Sequence, residues 1–344
     1  MRAPNRSFAV HDQHRKAFWL AGALLVASAA LLLLGASVGS IGFESVMNMQ
    51  RDPQAMQIVW EIRLPRTAGA WLAGALFGLA GAVAQGLFRN PLADPYLLGS
   101  ASGALLGEAC AMVLLGVSPL AAHWLVRIGL TGAAFVGAVL AVLLTLVLAK
   151  GVQHTLRLLL AGVVVGVVLG AVSSLILLLS PNIMQAMQSF MLGSTAFVDW
   201  TACAVMALVL AVSVIAAWMM SHVLDGLALG EATAQSLGLQ LPQMRAALVA
   251  VLALATGAAV AQTGLIAFVG LAAPHLVRSV VKTTHGRLIV LSSLMGAVLL
   301  MAADILARWL IAPQELPVGV LTAVLGGGYL LWLMHRHTGR GAGL

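Results

Sequence analysis

The stretch that decides the fold is AFWLAGALLVASAALLLLGASVGSIGF, residues 17–43. It carries no charged side chain and is longer than the roughly 7–15 apolar residues of a signal-peptide core, so it reads as a retained membrane span. Arg2, Arg6, Arg15 and Lys16 precede it, which places the N-terminus on the cytoplasmic side. The rest of the chain repeats the pattern. Of 344 residues, 61% are hydrophobic and only 8% charged, with mean hydropathy +1.02. Soluble domains carry roughly 25% charged residues. So little charge cannot cover a water-facing surface, and no stretch of mixed composition is long enough for a large soluble catalytic domain. The class is all-α and polytopic.

Apolar windows predict ten spans at about 17–39, 64–88, 95–116, 123–149, 156–180, 199–220, 243–265, 268–282, 287–311 and 317–334. The window 268–282 is short and holds Pro274, which suggests a broken helix. Ten spans put Arg2, Arg6, Arg15, Lys16, Arg89, Lys150, Arg157, Arg245, Arg278, Lys282, Arg287, Arg336 and Arg340 inside, 13 of the 18 Lys and Arg residues. Arg51, Arg63 and Arg66 fall outside, and Arg127 and Arg308 within spans. The positive-inside rule therefore favours both termini in the cytoplasm. The expected organisation is an arm at 1–16, one ten-helix domain at 17–334 with a long inside loop at 225–240, and a tail at 335–344.

Gly74/Gly78, Gly99/Gly103/Gly107 and Gly162/Gly166/Gly170 recur every four residues, a spacing that lets helix backbones approach in lipid. Ala82-Val-Ala-Gln85 recurs as Ala259-Val-Ala-Gln262, five spans later, as expected of units in opposite orientation. Cys110 and Cys203 stand far apart, with no CxxC or Cys/His cluster, so neither a disulfide framework nor a metal site is expected. The net charge of +7 is scattered among loops and is no nucleic-acid signal. No phosphate loop, HExxH or GxSxG is present, so no ATP site, metal site or catalytic residue is assigned to this chain. Glu108, Arg127, Asp304 and Arg308 are the in-span charges; Asp304 and Arg308, four apart, can neutralise each other. His123, His222 and His275 read as interfacial or hydrogen-bonded residues, and Met184, Met187 and Met191 as packing or as soft contacts near the outer mouth.

Three segments go further. The first runs from Arg63-Leu-Pro-Arg66 through Gly81 and Gln85 to Arg89-Asn-Pro-Leu-Ala-Asp-Pro95, Leu98-Gly99 and Gly103-Ala104. The second is Leu227-Ala-Leu-Gly230-Glu231-Ala-Thr-Ala-Gln-Ser-Leu237-Gly238. The third is Gly264-Leu-Ile-Ala-Phe-Val-Gly270-Leu-Ala-Ala-Pro274-His275-Leu-Val-Arg278, followed by Ala303-Asp304 and Glu315-Leu-Pro317-Val-Gly319. From about residue 55 onward the chain resembles the FecCD-type permeases, the membrane subunits of ATP-binding-cassette importers for haem, iron-siderophores and cobalamin.

The resemblance implies the type II importer fold: a homodimer of ten-helix subunits in the bacterial inner membrane, with the path between them. Two cytoplasmic ATPases, which bind ATP and Mg, and a periplasmic binding protein would be the partners, besides membrane lipid. Leu229, Gly230, Glu231, Ala234, Leu237 and Gly238 match the coupling helix that docks into the ATPase. From composition alone, Leu229–Leu237 reads as a short amphipathic helix ended by Gly238. Asn90 and Leu92, with Thr155 and Leu156, match cytoplasmic gates of cobalamin-importing relatives, although a relative has a hydroxyl residue at Leu156. Arg63, Arg66 and Arg308 match the solvent-exposed contacts for the binding protein. The expected function is inward movement of a bulky metal chelate by alternating access, with haem favoured over siderophore or cobalamin. An ion-coupled secondary transporter is the alternative; it would need buried carboxylates, and only Glu108 and Asp304 qualify.

Overall fold

The computed structural model describes residues 6–39, 42–43, 53–116, 124–149 and 155–341. Among these the chain is almost wholly helical. The helices are α1 (Arg6–Ser37), α2 (Pro53–Ile58), α3 (Leu64–Leu87), α4 (Ser100–Leu115), α5 (Trp124–Leu148), α6 (Thr155–Leu179) and α7 (Met184–Leu192). They continue as α8 (Trp200–Met219), α9 (Ser221–Ala228), α10 (Glu231–Ser236), α11 (Leu241–Thr263), α12 (Val269–Val280), α13 (His285–Trp309) and α14 (Val318–Gly341). Sheet among the described residues is one antiparallel pair, Val38–Gly39 with Gly42–Phe43. Residues 1–5 of the arm, Arg51, His123 and Lys150 lie outside the described residues, as do the side chains of Arg6, Arg127, Thr155, Arg336, His337 and Arg340.

Each of the ten windows carries a helix, but their lengths differ. Seven described helices are long and apolar enough to cross a membrane, and Ser100–Leu115 and Val318–Trp332 are shorter apolar helices. The tenth, α12, has 12 residues. At 1.5 Å per residue it is roughly 18 Å long, little more than half of a ~30 Å hydrocarbon core. Pro274 sits inside it without ending it. The chain is a multi-pass membrane protein.

Two boundaries differ from the sequence expectation. Residues 6–16 are the opening turns of α1 rather than a separate arm, and the Lys282 N–H donates to Gln13 Oε1 at 3.1 Å. Helix α2 runs through a π-helical turn, Val59–Arg63, into α3, making one 34-residue helix from Gln54 to Leu87. Arg63 and Arg66 are thus interior to a rod about 50 Å long, well beyond one membrane thickness.

Helix α3 is the centre of the bundle, buried from Pro65 to Leu87 except for a few positions. Glycine is what lets α13 reach it: a Cβ on Gly78 would stand 2.0 Å from the Ser292 carbonyl oxygen, and one on Gly74 2.3 Å from that of Gly296. The same device joins α4 to α5, where a Cβ on Gly107 would lie 2.2 Å from the Ala133 carbonyl oxygen. Gly166 and Gly170, by contrast, have only ordinary contact, with Ser102 Oγ. Helices α3 and α11 pack antiparallel, so the two Ala-Val-Ala-Gln copies lie at opposite ends of adjacent rods. Gln85 Nε2 donates to the Leu271 carbonyl at 3.1 Å, tying α3 to α12.

Candidate functional site

The segment 225–240, the coupling segment expected from the resemblance, marks one face of the molecule, termed the coupling face below. It holds two short helices, not one: α9 ends at Ala228, and α10 begins after Gly230, whose φ of +107° turns the chain between them. Gly238, at φ +81°, ends α10 with Gly238 N–H to Gln235 O and Leu239 N–H to Ala234 O, a Schellman stop that a residue with Cβ disfavours. Ala234 is fully buried, whereas Leu229 and Leu237 are 67% and 64% exposed. Two large apolar side chains offered to water, one at each end of a rigid helical turn, are what a docking element presents.

Glu231 plays another part. Its Oε1 accepts from Arg89 Nη2 at 3.2 Å and from Arg245 Nη2 at 2.7 Å. The carboxylate therefore braces α10 against the end of α3 and the start of α11. Asp225 Oδ1 accepts from the His285 backbone N–H at 3.0 Å and meets its ring Nδ1 at 2.7 Å, bracing α9 against α13. The coupling segment is fastened to three core helices.

The turn after α3 is the first gate candidate. Arg89 takes φ +49°, Asn90 Oδ1 accepts from the Leu92 N–H at 2.9 Å, and Asp94 Oδ1 accepts from the Tyr96 N–H at 2.8 Å. Burial pushes the Asp94 carboxyl above its ordinary range, opposed by that hydrogen bond. Tyr96 OH donates to the Ile266 carbonyl at 3.0 Å, tying the turn to the chain before α12. Asn90, Leu92 and Leu156 are exposed, at the coupling-face ends of α3 and α6.

The opposite face corrects an expectation. Arg66 and Arg308 are not solvent-exposed; they are 8% and 2% exposed. Arg66 Nε donates to Asp304 Oδ1 at 3.2 Å and its Nη1 to Glu315 Oε2 at 2.7 Å. Arg308 donates to Asp304 Oδ2 from Nη2, to Thr67 Oγ1 at 3.1 Å and to the Gly35 carbonyl at 3.2 Å. Thr195 Oγ1 also donates to Asp304. Two cations and two anions close into a neutral cluster that locks α1, α3, α13 and the connection from α13 to α14 together. Buried charge survives only when paired this way. Arg63 is half-buried, its Nη1 3.4 Å from the carbonyls of Ala36 and Ser37.

Sequence reading found the Asp304–Arg308 pair through its spacing of four but missed Arg66, Glu315 and Thr195 as its partners. The available signal was the charge balance: two arginines and two acids at spans that meet on one face. His222 is exposed, with Nδ1 2.9 Å from the Met219 carbonyl. His275 stands edge-on to Tyr329. Met187 is buried in an apolar cluster, while Met184 and Met191 are exposed. Among the described residues no three His, Cys, Asp or Glu side chains are grouped to hold a metal.

Comparison with known proteins joins these features. The chain is 36% identical over 322 residues to the hemin transport system permease protein HmuU of Yersinia pestis, covering 92% of this chain and 95% of that one. It is 39% identical over 332 residues to the vitamin B12 import system permease protein BtuC of Salmonella paratyphi A, covering 95% and 98%. A solved inward-facing structure of a metal-chelate type ABC transporter superposes with a TM-score of 0.81 at 27% identity, over 93% of this chain and 98% of that one. PsaBC from Streptococcus pneumoniae shares the fold more distantly, with a TM-score of 0.55 at 18% identity. The architecture is the type II ABC importer permease fold. The model of the FecCD transport family matches residues 23–336, and the chain belongs to that family.

Proposed function

We propose that this chain is the permease subunit of an ATP-driven importer that moves a bulky metal chelate, haem first among them, into the cytoplasm across a bacterial inner membrane. The observation that carries the reading is the coupling segment: a family-matching motif, exposed at Leu229 and Leu237 and fastened to α3, α11 and α13. ATP binding closes a pair of separate ATPase subunits, the closure pushes on α9–α10, and the braces pass the movement to the core helices. This chain breaks no covalent bond.

Two copies pair with the path between them. In support, α6 packs on α4 and α5 along one side and leaves Leu160, Val163, Val164, Val167 and Val168 exposed. Asn90, Leu92, Thr155 and Leu156 gate the cytoplasmic end, and both termini lie on that side. Of the three arginines first assigned to the binding protein, Arg63 remains the docking candidate; Arg66 and Arg308 hold the outer helix ends in register. Locking Asp304 between two guanidiniums also removes one of the two carboxylates on which an ion-coupled mechanism would rely.

The test is uptake into liposomes with the purified ATPase and binding protein, using haem with siderophore and cobalamin as competitors. Uptake should require hydrolysable ATP and persist when the proton gradient is collapsed. Loss of uptake on adding an uncoupler at constant ATP refutes the ATP-driven reading, and competition ranks the cargo.

A further inference from the structure

Glu108, on α4, is a buried acid that none of the machinery above employs. It is 5% exposed, and its Oε2 has no hydrogen-bond partner among the described residues. It lines a cavity of about 580 Å³ walled by α4, α5, α7, α8 and α11. The remaining wall is mainly apolar, with Phe135, Phe190, Val205 and Val209 prominent. Thr131, Thr201 and Gln262 add polar groups, and Asp199, whose Oδ1 accepts from the Ala202 N–H at the start of α8, is the second carboxylate. No described residue of α6 or α14 contributes to it, so the cavity is separate from the face assigned above to the partner copy.

The cavity has a side entrance. Ile128 on α5 and Val205 on α8 line it and are themselves exposed. Each lies four or five residues in from the start of its helix, at Trp124 and Trp200. At 1.5 Å per residue that is about 6–8 Å below the helix ends. Glu108 is seven residues from the end of α4 at Leu115, about 10 Å down. A ligand would enter between α5 and α8 from the side opposite the coupling face and meet the carboxyl at the bottom.

We infer that this cavity binds a ligand with an ammonium group on an apolar body, the ammonium meeting Glu108. Buried ionised groups persist when paired, and a carboxylate facing an apolar cavity lacks the pairing that Asp304 has. An ammonium supplies both charge and donors, while the phenyl rings and valines receive the hydrocarbon. The volume falls in the range of about 300–1,000 Å³ typical of small-molecule sites. The same chemistry is offered by an aminophospholipid of the membrane and by a free amphiphilic amine.

The probe is octylammonium, titrated onto the purified full-length chain in phosphatidylglycerol nanodiscs, with thermal unfolding followed by tryptophan fluorescence. Octanol and octanoate are the matched controls. Octylammonium should raise the unfolding midpoint saturably, with a half-saturating concentration at least about tenfold lower than octanol's, and Glu108→Gln should remove that advantage. Gly132→Leu provides an independent variant. Gly132 lines the cavity, and a Cβ there meets nothing within 4 Å, so α5 accepts the side chain while the cavity fills. Its saturable response should vanish. Equal responses to octylammonium and octanol, or an unchanged half-saturation in Glu108→Gln, overturn the proposal and leave a wet or nonspecific apolar void. Replacing half of the lipid by phosphatidylethanolamine, compared with replacing the same half by an uncharged glycolipid so that the surface charge is equal, separates the sources. A raised octylammonium requirement identifies the aminolipid as occupant, and an unchanged one identifies the free amine; both support the site.

Discussion

The two ends of the long α3 helix carry opposite electrostatic constructions. At the end away from segment 225–240, Arg66 joins Asp304, Arg308 and Glu315 in a neutral cluster in which Asp304, Arg66 and Arg308 are buried and the Glu315 side chain is 30% exposed. At the other end Arg89 and Arg245 share the single carboxylate of Glu231, which is about one-third exposed. A buried ion cluster resists rearrangement, because separating its members strands a charge without water. A pair open to water, as Arg89–Glu231 is, can part and re-form, since water replaces the lost partner. The bundle is thus held by more deeply buried charge at one end than at the end where segment 225–240 sits, the end at which the proposed coupling needs movement.

The strongest way to break this comparison is Asp304→Ala. It leaves two buried guanidiniums short of a partner and should cost about 3–5 kcal/mol, read as loss of folded protein or a large drop in unfolding midpoint in nanodiscs. Replacing Asp304 by Leu together with Arg308 by Met leaves Arg66 paired with Glu315 and should recover most of that loss, because apolar substitutes of similar volume remove the uncompensated charge. If Asp304→Ala unfolds like wild type, the buried cluster does not hold this end.

Gly78→Ala probes the contact midway between the two ends. Its Cβ would meet the Ser292 backbone at 2.0 Å, so α3 and α13 must separate. The expected cost is about 1–3 kcal/mol, measured by the same unfolding assay, with both ion clusters intact.

Glu231→Gln probes the end at segment 225–240. Arg245 is buried and loses its charged partner, so a drop of about 1–2 kcal/mol is expected, together with weaker stimulation of a partner ATPase. Arg89→Ala should cost only about 0.2–1 kcal/mol, because that pair is exposed, and the difference should shrink as salt rises from 0.05 to about 0.5 M. A salt-independent loss as large as that of Asp304→Ala would erase the distinction between the ends. The smallest effect on folding belongs to the double change Leu229→Ser with Leu237→Ser. Stability should hold while association with the ATPase, measured by pull-down or fluorescence titration, falls at least about tenfold.

Much of the fold was legible because membrane insertion is read locally. An apolar run such as 17–37 is driven to be helical in lipid, where no water satisfies the backbone, and it is helical throughout. The helices in the ten windows and the close helix packing at Gly74 and Gly78 follow from patterns a few residues apart, although which helix Gly74 and Gly78 meet does not. The break at Gly230 was less legible, since the helix-favouring string Leu229–Leu237 conceals a turn that only the positive φ reveals. The continuation of α3 outward through Val59–Arg63 was missed because the mixed segment 53–63 falls below the hydropathy of a span.

Hydropathy and motif alone settled the membrane class, the positions of the apolar helices and the family resemblance, since each depends on neighbouring residues or on a linear string. They did not settle which charges meet water. Arg63, Arg66 and Arg308 are alike as letters, yet Arg66 reaches Asp304 and Glu315, respectively 238 and 249 positions away. Glu108 and Asp304 are both in-span acids, and spacing gives Asp304 only Arg308 as a partner; packing adds Arg66 and Thr195 to Asp304 and leaves Glu108 facing a cavity. Burial and pairing of a charge depend on which helices pack side by side, and that is decided by side-chain volumes and glycine contacts across the whole bundle rather than by any local run of residues.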